Sequence, residues 1–300
     1  MPERSGVLLV DKPVGPTSRE ALDGLEKRLR IGALGHAGTL DPLASGLLVV
    51  LAGRARRLQE FFLGREKAYV ARVRFGATSP TLDAEGPVTA TGGVPPPIEA
   101  AAIRGLLARF EGEILQAPPL YSALRVSGRR AHKLARKGRE VVLEPRKVTI
   151  DRIELLAVEN QDWLLEITCG AGVYIRSLAR DLGEARGSGA YLAELRRTRS
   201  GGLRVEDAVP PGRTDVQELK PLSDVLAGEP RFDATEDEAL RLRQGDIVSC
   251  EGRDPLPTFG WFQGRPCFKL ATPAPQVLRS ELLLEEPFSE ERPGRSPESA

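Results

Sequence analysis

The 300-residue chain contains three cysteines, two histidines and one methionine, and its aromatic content is only 5%. Cys169, Cys250 and Cys267 are far apart and odd in number, so they supply neither a disulfide framework nor a CxxC zinc site. His36 and His132 alone cannot build a multi-histidine metal centre. The longest apolar run, Leu47 to Ala52, is far short of the ~20 residues a membrane span requires. The N-terminal MPERSGVLLVDKP has too short an apolar core for a secretory signal, so a cytoplasmic location is expected. There is no GxxxxGK[ST] and no GxSxG, and Gly32, Gly35 and Gly38 lack the GxGxxG spacing. Any chemistry must therefore come from carboxylates, hydroxyls, phenols, lysine or arginine, unless a bound small molecule helps.

Charge is plentiful, but its sum hides its distribution. The formal net charge is +1. Between Arg125 and Lys147, however, nine basic residues face only Glu140 and Glu144, a local net of +7. The last twenty residues carry six glutamates against Arg292 and Arg295. A compact arginine-rich block is the footprint of phosphate-backbone contact, although a charge run alone is as easily a solvated face. Further clusters at Arg54, Arg56 and Arg57 and at Arg196, Arg197 and Arg199 shift the balance toward a polyanion.

Periodicity predicts a short buried strand over 6–10, then a helix capped within Pro16-Thr17-Ser18 with Ala21, Leu22, Leu25 and Leu29 on one face. A glycine-punctuated loop over 31–46 leads into a strand over 47–51, a short amphipathic helix over 54–63 and a strand over 67–75. A loop over 76–96 and a helix over 98–110 come next. Beyond them lie a strand near 122–126, a basic helix over 130–137 and strands near 140–143, 147–157 and 163–169. A helix over 174–186 and a strand near 190–196 complete this part. Without regular βαβ alternation, the expected class is α+β with a largely antiparallel sheet. Pro210-Pro211-Gly212 marks a boundary between a first domain, 1–210, and a small β-rich domain over 213–288; an acidic, disordered tail is expected over 289–300.

The densest chemical segment is GHAGTLDPLASG, residues 35–46. Pro42 drives Asp41 out of the helical region, and the glycines let the backbone approach a ligand closely. Such an Asp can be held rigidly and still be exposed to substrate. A bare Asp-Pro is more often just a turn.

The twelve residues closely resemble the catalytic motif of TruB-type tRNA pseudouridine synthases, commonly GHTGTLDPLATG. Further matching segments follow in order: GVLLVDKPVGPTS (6–18), Lys67-Ala68-Tyr69 through Gly76, DAEG (83–86), PPLYSA (118–123) and GAGVYIRSLARDLG (170–183). The resemblance covers roughly residues 6–200 and departs from the pattern mildly, with Ala37 and Ser45 for threonine and His132 where tyrosine is frequent. It implies the pseudouridine synthase fold, a mainly antiparallel mixed sheet flanked by helices, with a small PUA-like RNA-binding domain at the C-terminal end. It also implies isomerisation of uridine 55 in the tRNA T-loop, without cofactor or metal. Asp41 would be the nucleophile, attacking either uracil C6 or ribose C1′. Arg176 would pair with it and offset the rise in pKa that burial causes. Tyr69 would stack on the base and help remove the C5 proton. Tyr174 and Leu195 would line the base pocket, His36 would fill the gap left by the flipped base, and Lys12 would support the site. Arg129, Arg130 and Lys133 in the basic segment would grip RNA phosphates.

The expected partner is therefore the T-arm stem-loop of tRNA, bound by a monomer with no obligatory protein partner. Other readings stay open from the sequence: a tRNA-binding or folding chaperone, a synthase that acts on another RNA with guide partners, or a glycosidase pairing Asp41 with Asp83 or Glu85.

Overall fold

The computed structural model describes residues 4–93, 96, 98–121, 125, 126, 129, 130, 143–160 and 162–287, with the backbone alone at 125, 126, 129 and 130. Val7 to Val10 are all buried because β1 (Gly6–Lys12) runs antiparallel to the apolar β3 (Ala44–Ala52), with Gly6 opposite Ala52 and Lys12 opposite Gly46. Between them α1 (Ser18–Leu29) starts in a full capping box. The Thr17 hydroxyl accepts from the Glu20 amide while the Glu20 carboxylate accepts from the Thr17 amide, a device worth about 1 kcal/mol. Its buried stripe of Ala21, Leu22, Leu25 and Leu29 covers Leu8, Val10, Leu48 and Val50. The segment 31–46 is not all loop: β2 (Leu34–His36) pairs with β3, the alternation being too short to read in sequence. The expected helix over 54–63 is a 3-10 turn, Gly53–Leu58, running into α2 (Gln59–Leu63).

The rest of the large sheet follows from β4 (Lys67–Phe75), with a small ribbon of β5 (Ala77–Thr78) and β6 (Thr89–Ala90) beside it. Helix α3 (Ala100–Leu107) gives way to a 3-10 turn over Ala108–Phe110. Edge strand β7 (Gly112–Gln116) is invisible to pattern reading, since its Leu115 is 70% exposed and it pairs on one side only. A second ribbon joins β8 (Arg125–Val126) to β9 (Arg129–Arg130), so the expectation that Arg130 opens a helix is corrected: local pairing of Arg125 with Arg130 takes its backbone. Lys133, His132, most of the basic segment and the acidic tail at 289–300 lie outside the described residues. Strands β10 (Arg146–Glu159) and β11 (Asp162–Cys169), helix α4 (Ile175–Ala185), and strands β12 (Ala190–Ser200) and β13 (Leu203–Arg204) complete the unit.

The sheet order is β1-β3-β12-β4-β11-β10-β7, with β2 on β3 and β13 on β12. Every pairing in it is antiparallel except β3 with β12, so the sheet is mainly antiparallel and mixed, as expected. Leu178 and Leu182 of α4 and Ile103 and Leu107 of α3 pack on Val73, Leu165 and Ile167; each such leucine contributes about 1.5–3 kcal/mol.

After β12 the chain returns along β1, where Val209 bridges Val10 and Lys220 bridges Val7, on either side of the turn at Pro210–Gly212. A short α5 (Leu222–Val225) leads to a second sheet ordered β14-β16-β17-β18-β15, from β14 (Arg231–Asp233), β15 (Ile247–Ser249), β16 (Phe259–Phe262), β17 (Arg265–Ala274) and β18 (Val277–Leu283). It also carries α6 (Glu236–Gln244), which the expectation of short strands overlooked although Thr235 and Glu238 spell a capping box. Phe61 meets Phe259 edge to face at 5.0 Å, and Leu222, Leu226 and Trp261 join Val7, Leu9 and Val49 in one cluster between the sheets. Among the described residues no helix is long and apolar enough to cross a membrane.

Candidate active site

A cleft of about 290 Å³ opens where four segments meet: the loop 38–41, the start of β4, the loop 170–176 leading into α4, and the middle of β12. Its walls include Asp41, Tyr69, Tyr174, Arg176 and Leu195, five residues drawn from four separate stretches of sequence. Lys67 and Arg197 line it as well.

The loop bearing Asp41 is gripped from the N-terminal motif. Ser18, buried at the first turn of α1, donates its hydroxyl proton to the Leu40 carbonyl at 2.9 Å and accepts from the Leu40 amide at 2.8 Å. The Gly15 amide donates to the Pro42 carbonyl at 2.9 Å. Lys12, fully buried, donates to the carbonyls of Pro13 and Pro16, both at 2.8 Å, and thereby shapes the turn that carries Gly15. Burial holds the Lys12 ammonium below its ordinary range, opposed by the nearby charges of Asp41 and Glu85. Lys12 does not line the cleft; it holds its rim.

Arg176, in the first turn of α4, reaches Asp41 Oδ2 at 2.9 Å and Asp83 Oδ2 at 3.4 Å. It also donates to the carbonyls of Thr81 and Tyr121, each at 3.0 Å. Its side chain is 7% exposed and that of Asp83 1%, while Asp41 keeps 38% of its surface open to the cleft. Asp83 is itself braced by the Thr81 hydroxyl at 2.6 Å and the Glu85 amide at 3.1 Å. The expectation that the guanidinium offsets burial at Asp41 is corrected in degree. Burial raises the Asp41 pKa, Arg176 opposes it, and the like charge of Asp83 adds to the rise, so the balance lies above the ordinary carboxylate. Burial is the largest cause, and the one guanidinium that opposes it also serves a second carboxylate and two carbonyls.

Across the cleft, Tyr69 alternates out of β4. Burial pushes its phenol up; Arg197 opposes, and Cys169 and Asp41 add to the rise. Tyr174 ends the loop before α4, pinned by the buried Gln116, whose amide oxygen accepts from the Tyr174 amide at 2.8 Å and whose nitrogen donates to the Tyr174 carbonyl at 3.2 Å. Leu195 stands opposite Ala44 of β3 and Ala71 of β4 and contributes the apolar wall. His36 is not among the cleft residues. It ends β2 opposite Val50, its carbonyl accepting from Gln59 at 3.2 Å, and burial with Arg197 holds its imidazole below the ordinary range.

Sequence reasoning missed Arg197 and Lys67 and gave Asp83 only a glycosidase role. Of the cluster Arg196, Arg197 and Arg199, only Arg197 is withdrawn from the surface, and each of the three is engaged within the chain. Arg196 pairs with Asp11 at 2.9 Å, Arg199 pairs with Glu66, and Arg197 is buried. Lys67 donates to the carbonyls of Phe62, Leu63 and Arg65 at the end of α2, and burial lowers it to about 8. Among the described residues no group of three or more His, Cys, Asp or Glu side chains is placed to hold a metal ion.

Chemically, the arrangement is one ionisable carboxylate on a clamped loop, a guanidinium fixing it, two tyrosine rings and an apolar wall, enough to enclose a planar heterocycle. A family model described as "TruB family pseudouridylate synthase (N terminal domain)" matches residues 26–175, and one described as "tRNA pseudouridylate synthase B C-terminal domain" matches 176–221. A protein of Corynebacterium aurimucosum named "tRNA pseudouridine synthase B" is 43% identical over 258 residues, covering 83% of this chain and 86% of that one. One of the same name from Burkholderia pseudomallei is 46% identical over 204 residues, 68% of this chain and 67% of that one. The fold is shared with the structure titled "Crystal Structure of a Cbf5-Nop10-Gar1 Complex", at a TM-score of 0.72 and 23% identity, over 94% of this chain and 85% of that chain. With its sequence matched to those models over 26–221 and its cleft built from the motif residues, the chain belongs to the TruB family of pseudouridylate synthases.

Proposed function

We propose that the protein isomerises uridine to pseudouridine at position 55 in the T-loop of tRNA, with Asp41 as nucleophile. The observation that carries this is the Asp41–Arg176 pair, 2.9 Å apart, set in one cleft with the ring of Tyr69. The relatives' shared name supplies the tRNA. The target base must leave its stack to reach Asp41, at a cost of a few kcal/mol recovered by stacking on Tyr69 and enclosure by Tyr174 and Leu195.

The reaction breaks the bond from N1 to C1′, turns the base, joins C5 to C1′, and moves a proton from C5 while N1 gains one. Attack at C6 and attack at C1′ both start from an ionised Asp41, and Arg176 is the group that favours that form. Tyr69 faces the base as acceptor of the C5 proton. The division of labour we infer is a catalytic unit over 1–210 and a small PUA-like RNA-binding unit over 213–288. Arg129, Arg130 and Lys133 add phosphate contacts that position the T-arm without reading sequence. The protein works as a monomer, and neither cofactor nor metal enters the scheme.

The test is incubation of purified protein with an unmodified tRNA transcript, site-resolved pseudouridine mapping, and Asp41→Asn alongside. Product at position 55 from the wild type alone is expected. Tight binding without product from either protein would overturn the enzymatic reading in favour of an RNA chaperone. Free uracil released from RNA would indicate glycosidase chemistry instead.

A further inference from the structure

Asp41 and Tyr69 must hold the same base from two different elements, a glycine-hinged loop and a strand. One side chain touches the supports of both. Arg197 is 2% exposed, and its backbone lies in β12 between Gly46 of β3 and Tyr69 of β4. Its Nε donates to the Leu47 carbonyl at 2.7 Å and its Nη2 to the Gly38 carbonyl at 3.0 Å, so it grips the chain before and after Asp41. It is also the cross-strand neighbour of Tyr69, lines the same cleft, and its charge favours the ionised phenol. Gly46, at φ +98, is what admits it: a Cβ there would stand 2.2 Å from the Arg197 carbonyl oxygen.

Among the described residues no carboxylate lies within ion-pair distance of Arg197. A buried guanidinium without a counter-ion is costly, and carbonyl bonds compensate only its polar hydrogens. Its charge is felt throughout the floor of the site, where it works against protonation of Lys12, His36 and Lys67. The group that gains from such a field is one that becomes negative, and Tyr69 stands directly across the strand pair from Arg197 in the same cleft.

We propose that Arg197 is a positioning residue for the isomerisation: it ties the strand of Tyr69 to the loop of Asp41 and holds negative charge on the Tyr69 oxygen for transfer of the C5 proton. This rests on the roles given above to Tyr69 and Asp41. In that step the C5–H bond breaks and its electron pair restores the C5=C6 double bond, while C6 releases either its bond to Asp41 or its π pair to N1. The proton goes to the phenolate oxygen, from which it leaves to water after product release. The other groups facing Tyr69 are Cys169 from β11, whose thiol burial pushes up to about 12 and so keeps neutral, and Asp41, whose charge opposes a phenolate. Arg197 is the one cation among them.

Two readouts test this, one of them independent of activity. Tyrosinate absorbance is titrated in the wild type, Arg197→Lys and Arg197→Gln, each with Tyr69→Phe subtracted to isolate Tyr69. Single-turnover rates on a tRNA transcript are followed against pH. Tyr69 is expected to ionise at higher pH in Arg197→Gln, with Arg197→Lys between. The rate should fall by about 10–100-fold with tRNA affinity within about twofold, and the rising limb of the pH profile should move up with the titration. An unmoved Tyr69 titration, with rate lost only in step with melting temperature, overturns the proposal and leaves Arg197 a strut. If Arg197→Gln does not fold, Arg197→Lys carries the same comparison. A wild type that makes no pseudouridine overturns the reading of the site, whereas the absorbance titration judges the Arg197–Tyr69 coupling by itself.

Discussion

Asp41 and Asp83 share one guanidinium, and the sharing sets the chemistry available to Asp41. Burial and the Asp83 charge raise Asp41 above its ordinary 3.8, so its ionised form is held at a cost to the fold. For a carboxyl raised on folding, the folded state binds the proton more tightly than the unfolded one. Its contribution to stability is therefore fully present below 3.8 and is lost as pH rises through the raised value. Asp41→Asn is accordingly expected to melt higher than the wild type near neutral pH, with the gap closing on acidification; a lower melting temperature at neutral pH would contradict this. Asp83→Asn keeps the hydrogen bonds from Thr81 and Glu85 to Oδ1 while removing the like charge. The acid limb of its kcat/KM profile is expected at lower pH than in the wild type, and a limb that stays put or moves upward would sink the account. Asp41 and Arg176 were legible in sequence because their motifs are dense. The sharing by Asp83 was not, since the loop from Thr81 and the start of α4 meet only in the folded chain.

At the scale of elements, the N-terminal motif works as a clamp on the loop of Asp41. Ser18 answers both the amide and the carbonyl of Leu40 from the first turn of α1, and the capping box fixes that turn. In Ser18→Ala a buried amide loses its partner, at about 1–3 kcal/mol. Asp41 loses its fixed position with it. The expected result is a melting temperature lower by several degrees and a fall in kcat with KM for tRNA nearly unchanged; a change confined to KM would mean that the clamp serves binding instead. The capped start of α1 was readable from Thr17 to Glu20, whereas Ser18 looked like one more N-terminal hydroxyl. Edge strand β7 and helix α6 escaped pattern reading for opposite reasons. The first exposes an apolar residue that its neighbour does not cover, and the second hides a small buried face, Ala239 and Leu242, among charges.

The molecule as a whole joins two sheets through a shared apolar cluster, with Phe61 against Phe259 and Arg57 donating to the Leu283 carbonyl at 2.9 Å. A second sheet packed this way restrains the α2 end of the large sheet, whose carbonyls Lys67 caps beside the cleft. The three cysteines are free and buried, Cys169 in the large sheet, Cys267 in the small one and Cys250 just after β15 in the core beneath it. Burial pushes the thiols of Cys169 to about 12 and Cys267 to about 11, so few thiolates form near neutral pH. Native protein is expected to resist a thiol alkylating agent, and each cysteine should become reactive only as its own unit unfolds. Denaturant titration with mass-spectrometric readout would then report the two sheets separately or together. Rapid labelling of Cys169 in native protein would refute its placement.

The sequence alone determined the motif residues, the capped helix, the apolar strands and a largely antiparallel α+β plan, because hydrophobic period, turn chemistry and a dense dodecapeptide are local properties of the chain. It also indicated Asp41, Tyr69, Tyr174, Arg176 and Leu195, all of which line one cleft. Only the tertiary structure decided that Arg197 lies buried beneath that cleft rather than on a basic surface, that Arg176 is divided between two carboxylates, and that His36 lies away from the cleft walls. Burial and charge balance belong to the set of neighbours a residue acquires, and those neighbours come from strands as far apart in sequence as β3, β4 and β12.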